Sequence, residues 1–166
     1  VPAGRVGARR ILGQVVAVAR LRDSTLNMQT GFGLSGMFFM EGVGTLKGGI
    51  PPGGKVIVEE TGATLRVAGD LTNFGELRIT PPALGGPAAD ATISVVSGTL
   101  TNQGLLAIGQ QFGSVGATRT VTGSIDNQGT LQVFRPATFS NAAISNQSSF
   151  TISAAVKLDT TTFAQA

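Results

Sequence analysis

The chain has 166 residues, 24 of them glycine; 13% are charged and the net charge is +3. It contains no cysteine, histidine, tyrosine or tryptophan, which excludes disulfides, thiol nucleophiles, histidine-based triads and the usual transition-metal ligand sets. One domain of this length can bury a core, and no run approaches the roughly 20 apolar residues of a helical membrane span.

Residues 1–23 form a compositional zone of their own. Arg5, Arg9, Arg10, Arg20 and Arg22 all precede the first acid, Asp23, and the rest of the chain is close to neutral. The zone is expected to be a basic N-terminal arm or cap ahead of a domain spanning 24–166. Ile11 to Leu21 has two readings. As a helix it gathers Ile11, Leu12, Val15, Val16 and Ala19 on one face; as a strand it is favoured by Val15, Val16 and Val18. A signal peptide is disfavoured by Arg20, Leu21 and Arg22. Without interleaved aromatics the arginines make a thin footprint for nucleic acid, and no nucleic-acid partner is expected.

Residues 24–50 are the most apolar part, and Phe32, Met37, Phe38, Phe39 and Met40 are expected to close the end of a core. Gly48 to Lys55 superficially fits a phosphate loop. However, Val56 stands where a metal-binding hydroxyl is needed, and Pro51 and Pro52 remove backbone donors. A turn is expected there, with strands at Lys55–Val58 and Ala63–Val67 leading out of it.

A repeat then begins. Val67–Ile79, Val96–Ile108 and Val121–Val133 share V-x-G-x-[LI]-x-N-x-G-x-L-x-[IV], and Ser140–Ile152 is a weaker fourth copy with Ala142 and Ser148 in place of the glycines. Within each copy the fixed positions share one parity and the residues between are mostly polar, as half-buried strands require. The glycines are expected to be turn residues: Gly69 and Gly75, Gly98 and Gly104, Gly123 and Gly129. Each copy predicts strand, bend, strand. Successive asparagines lie 29, 25 and 19 residues apart, and the variation is expected to fall entirely in the connections between copies. A fixed rung with elastic loops is the mark of a solenoid. If rungs stack about 4.8 Å apart, Asn73, Asn102, Asn127 and Asn146 form a buried amide ladder along the axis.

Thr80–Asp90 and Gly109–Gly116 are expected to be extruded loops. Asn146-Gln147-Ser148 is a formal glycosylation sequon, but Asn146 is a ladder position. Val156 to Phe163 predicts a last strand with no obvious cap.

No catalytic, cofactor or metal residues are assigned. Asp70, Glu76 and Asp126 point outward but form no column, and Glu59 and Glu60 are expected to face opposite ways. Sugar-stacking Trp and Tyr are absent. The outward pairs Asp70/Thr72, Thr99/Thr101, Ser124/Asp126 and Ala143/Ser145 do not make the regular Thr-x-Thr array that ice binding needs.

The G-x-L-x-N-x-G-x-L-x-[IV] unit resembles the repeat of filamentous-haemagglutinin-like adhesins, large secreted bacterial surface proteins. The resemblance covers residues 63–152. It implies an all-β fold, a right-handed parallel β-helix, and an extracellular or cell-surface location. The same helix carries unrelated functions. A structural or adhesive, non-enzymatic subunit that polymerises end to end is the expectation, with itself and host or surface glycans as partners. Its contacts are expected among Arg5, Arg9, Arg10, Ile11, Leu12, Val15, Arg20, Arg22, Phe38 and Phe39. The alternatives are a carbohydrate-binding or carbohydrate-cleaving β-helix of tailspike type, or a piece of a longer adhesin.

Overall fold

The computed structural model describes residues 6–11, 14–28, 36–81, 88–110 and 117–166. Among these there is no helix. In chain order the strands are β1 (Val6–Ile11), β2 (Gln14–Arg22), β3 (Thr25–Met28), β4 (Gly36–Glu41), β5 (Val43–Ile50), β6 (Lys55–Glu59), β7 (Thr64–Ala68), β8 (Leu71–Asn73), β9 (Glu76–Thr80), β10 (Ala91–Asn102), β11 (Leu105–Ile108), β12 (Arg119–Asn127), β13 (Thr130–Val133), β14 (Ala137–Asn146), β15 (Ser149–Ile152), β16 (Val156–Asp159) and β17 (Thr162–Gln165).

The strands divide between two sheets. One runs β1-β2-β4-β6-β9-β11-β13-β15; the other runs β16-β14-β12-β10-β7-β5-β3, with β8 and β17 paired to its members. The chain alternates between them, so the result is a parallel β-solenoid of about six turns. Among the described residues every pairing is parallel except β1 with β2, which is antiparallel. Of the segment Ile11–Leu21, Ile11 ends β1 and residues 14–21 are strand: β2 stacks on β4 as part of the first turn, and β1 lies outside the parallel stack.

Columns of inward side chains build the core. Ala19, Phe38, Val56, Leu77, Leu106, Leu131 and Phe150 stand over one another in the first sheet, beside Leu21, Met40, Val58, Ile79, Ile108, Val133 and Ile152. Period-two alternation makes this possible, because equal parity in each strand puts like residues at one height in the stack. The apolar segment 37–40 therefore does not close the core's end as expected. Parallel pairing on both sides places β4 between β2 and β6, and Met40 is fully buried there. Phe32 falls outside the described residues.

The expectation that all length variation lies between repeats also needs correction. From the Leu71 position onward the copies are in strict register: Leu71, Leu100, Ile125, Ile144 and Phe163 form one column. Before it they are not. Val95, not Val96, pairs with Val67, and Val96 is an extra residue, 56% exposed. Val121 pairs with Ile93, which itself pairs with Leu65. The corner therefore has a different length in successive turns. It can vary because Gly69, Gly98 and Gly123 all take positive φ there, a conformation open to glycine.

Gly75, Gly104 and Gly129 act differently, and none has positive φ. A Cβ on Gly104 would stand 2.2 Å from the Gly75 carbonyl oxygen, and one on Gly129 2.5 Å from that of Gly104. These glycines let the backbone of one turn approach the next. The amide one residue on bonds the turn before at 2.9 Å in three turns (Glu76 to Gly54, Leu105 to Gly75, Thr130 to Gly104), but Ser149 reaches Gly129 only at 3.2 Å, where Ser148 replaces the glycine.

The phosphate-loop look-alike is a turn. Gly54 N–H donates to the Pro51 carbonyl at 2.9 Å, and Lys55 opens β6.

Candidate functional site

The asparagines meet as a ladder. Asn73 Nδ2 donates to Asn102 Oδ1 at 2.8 Å, Asn102 Nδ2 to Asn127 Oδ1 at 2.7 Å, and Asn127 Nδ2 to Asn146 Oδ1 at 2.5 Å. Each also donates to a backbone carbonyl across the bend: Leu105, Thr130 and Ser149 in turn. All four are buried. A fifth member was not anticipated: Asn146 Nδ2 donates to Gln165 Oε1 at 2.7 Å. Its signal in the sequence was Gln165 two residues after Phe163, the offset of Asn from the preceding Leu or Ile in every repeat. At the other end Ile50 takes the column position, and Asn73 Oδ1 is left without a partner.

The nine carboxylates are spent on the fold. Asp23, Asp70 and Asp90 sit at corners, and each accepts a backbone N–H from the next turn: Val43 at 2.8 Å, Thr99 at 2.9 Å and Thr118 at 2.8 Å. Asp126 accepts from the amides of Gln128 and Gln147. Glu76 pairs with Lys55 at 3.0 Å and with Arg78, and Asp159 lies 3.9 Å from Lys157.

Glu59 and Glu60 reach different arginines, and both are buried. Glu59 and Glu41 hold Arg20, whose Nη1 lies 2.5 Å from Glu41. The hydrogen bonds that the Arg20 guanidinium donates to Glu59 and, second, to Glu41 raise its pKa above the ordinary value. Arg20 also lies 4.7 Å over the ring of Phe39, a cation–π contact. Glu60 receives two bonds from Arg119, Nε at 2.6 Å and Nη2 at 2.8 Å.

Arg119 was missed in the sequence because its strand position is inward, where a charge is not expected. Its column neighbours are Ala91 and Ala137. The small side chains leave room for the arginine to run past Ala91 to the corner before β7. Its Nη1 bonds the Ala117 carbonyl at 3.0 Å.

Of the expected contact residues, Arg20, Phe38 and Phe39 are engaged within the chain; Phe38 packs against the core. Arg22 is exposed. Arg9, Arg10 and Ile11 lie on β1 and Val15 on β2. Arg5 and Leu12 fall outside the described residues.

In the last described turn the column residues are exposed. Ile152 is 52% exposed, Leu158 51% and Phe163 41%. Phe139, Phe150 and Phe163 form a run of rings with centroids 6.5 and 5.4 Å apart. A cleft of about 220 Å³ on the first sheet's outer face is lined by Met37, Phe39, Lys55, Glu76 and Arg78 among others, with a single carboxylate.

No family model, curated protein or solved structure matches the chain.

Proposed function

We propose that the chain is a non-enzymatic structural rod of the extracellular surface, of the kind that filamentous-haemagglutinin-like adhesins carry, and that it stacks end to end with further copies. The observation that carries this reading is the register of the stack: in the last described turn Ile152, Leu158 and Phe163 continue the core columns, so a further turn, of this chain or of a second copy, would meet the same apolar columns and backbone edges. An edge of this kind adds strands. The acid census supports the non-enzymatic part: eight of the nine carboxylates bond a backbone amide, a side-chain amide or a base, and Asp159 stands exposed 3.9 Å from Lys157.

The joint is narrower than the sequence suggested. β4 is interior, so Phe38 and Phe39 do not lie at an end of the stack. The N-terminal edges are β1 in one sheet and β3 in the other. Contact between those edges and the C-terminal turn of a second copy is heterologous, and without ring closure it yields an open fibre. Sedimentation and electron microscopy test the idea. Rods that lengthen with concentration are expected. Leu158→Lys with Phe163→Lys should shift the population to monomer while leaving the β-sheet circular dichroism spectrum in place. A wild-type chain that stays monomeric at high concentration overturns end-to-end stacking. Turnover of a sugar in a glycan panel overturns the structural reading in favour of the carbohydrate-active alternative.

A further inference from the structure

The cleft on the outer face of the first sheet is apolar at one end and charged at the other. It spans three successive turns and two outward columns. Met37, Lys55 and Glu76 stand in one column, Phe39, Ile57 and Arg78 in the next. Its β4 end is therefore apolar, and Ile57 of β6 continues that floor at 9% exposure. Its β9 end carries Glu76 and Arg78, with Lys55 between. With turns about 4.8 Å apart, the two ends lie about 10 Å from each other.

The charges in the cleft are unevenly matched. Lys55, Glu76 and Arg78 are the charged residues that line it, a net of one positive charge. Glu76 is fully used: one carboxylate oxygen lies 3.0 Å from Lys55 and the other meets Arg78. The cations are short of acceptors. Glu76 is the one described partner of each, and Arg78 Nε is buried with no hydrogen-bond partner among the described residues. Glu59, in register with Thr80, is buried and already bonded by Arg20. The neutral polar groups are mostly spent as well. Thr80 donates its hydroxyl to the Pro81 carbonyl at 3.1 Å, and the Gln110 carbonyl accepts from Arg135.

A fitting ligand brings acceptors for Lys55 and Arg78, one negative charge, and apolar surface for Met37, Phe39 and Ile57. An ionised carboxyl group only accepts. We propose that the cleft binds a free hydrophobic monocarboxylic acid, its carboxylate between Lys55 and Arg78 and its apolar body over Ile57 toward Met37 and Phe39. The volume of about 220 Å³ is below the roughly 300–1,000 Å³ of drug-sized sites, which limits the occupant to a single ring or a short acyl chain. A sugar acid is the competitor. Each ring hydroxyl brings a donor, and the Gln110 side chain is the one uncommitted side-chain acceptor in the described lining. The floor beneath it is three apolar side chains. Inorganic phosphate matches the cations but leaves that floor uncovered. The site is on the side of the stack and does not depend on end-to-end joining.

The test is calorimetric titration of the full chain with benzoate and hexanoate. Three comparison probes are benzyl alcohol, which keeps the ring without the charge, inorganic phosphate, and glucuronate. One site per chain is expected for both acids, with each comparison probe at least about tenfold weaker. Arg78→Gln and the exposed Lys55→Gln should each weaken benzoate by about tenfold. Met37→Glu puts a like charge on the floor and should abolish binding. Thr120→Glu, on the second sheet's outer face, should leave it unchanged. Lys55→Gln keeps the test decisive if Arg78→Gln fails to fold. No saturable binding of either acid overturns the proposal. Phosphate binding as tightly as benzoate also overturns it, leaving a bare cation pair, and glucuronate binding more tightly gives the cleft to a sugar acid instead. Benzoate affinity unchanged in both Lys55→Gln and Met37→Glu, at the wild-type melting temperature, puts the bound acid elsewhere and overturns the assignment.

Discussion

Arg119 and Glu60 form a fully buried ion pair in the interior. Their side chains are 1% and 0% exposed and meet through two hydrogen bonds. Arg119→Ala leaves Glu60 buried and unpaired, and the expected loss is about 3–5 kcal/mol in urea unfolding. Replacing both, Arg119→Met with Glu60→Gln, should cost clearly less than the single change, because no charge is stranded. Additive losses in the double-mutant cycle would show that the two residues act separately. The ladder makes a second prediction at this scale. Asn102→Ala removes a donor and an acceptor from the middle of the amide column, at about 1–3 kcal/mol. Gln103→Ala loses only an exposed amide bond to Gln128, with an effect within about 0.5 kcal/mol. Equal melting shifts for the two would contradict the buried column.

Among the elements, the bend that follows the ladder sets how closely turns approach. Gly104→Ala puts a Cβ 2.2 Å from the Gly75 carbonyl oxygen and 2.8 Å from the Phe74 carbonyl carbon. Both obstacles are backbone, so the turns themselves must separate. A destabilisation of about 1–3 kcal/mol is expected, as for other overpacked sites. Hydrogen exchange should localise it: the Leu105 amide, which donates to Gly75, should lose protection before amides at the opposite corner. Uniform loss through the chain would mean that the bend is not the point of strain.

For the whole molecule, strands among the described residues pair only with those of the adjacent turns, while Arg119 reaches two turns back to Glu60 and Arg20 two turns on to Glu59, so stability resides in the stack. Removing residues 1–11 takes away β1 and leaves β2 paired with β4. The shortened chain should keep its sheet content and expose a parallel edge at the start of the first sheet. If β1 guards that edge, the truncated chain assembles more readily than the full one in sedimentation. If β1 is the joint, it assembles less. The unchanged outcome would exclude β1 from any role in assembly.

The sequence alone determined the solenoid, its inward parity and the asparagine ladder. A period of two, repeated with the same apolar positions around each Asn, leaves one way to bury them all together. What it could not determine was everything that depends on which turn lies over which. Val96 looked equivalent to Val67, but a corner glycine lets each turn choose its own length, and core packing selected Val95. Arg119 carried no signal in the sequence, since a charge at an inward strand position is not expected to be buried. Only the alanines stacked on either side and a glutamate 59 residues earlier in the chain make it buried and paired. The same holds for one column of outward threonines. Thr92, Thr120 and Thr138 sit at unequal distances from the motif asparagines, so no sequence alignment on those asparagines brings them into one column; stacking in register does.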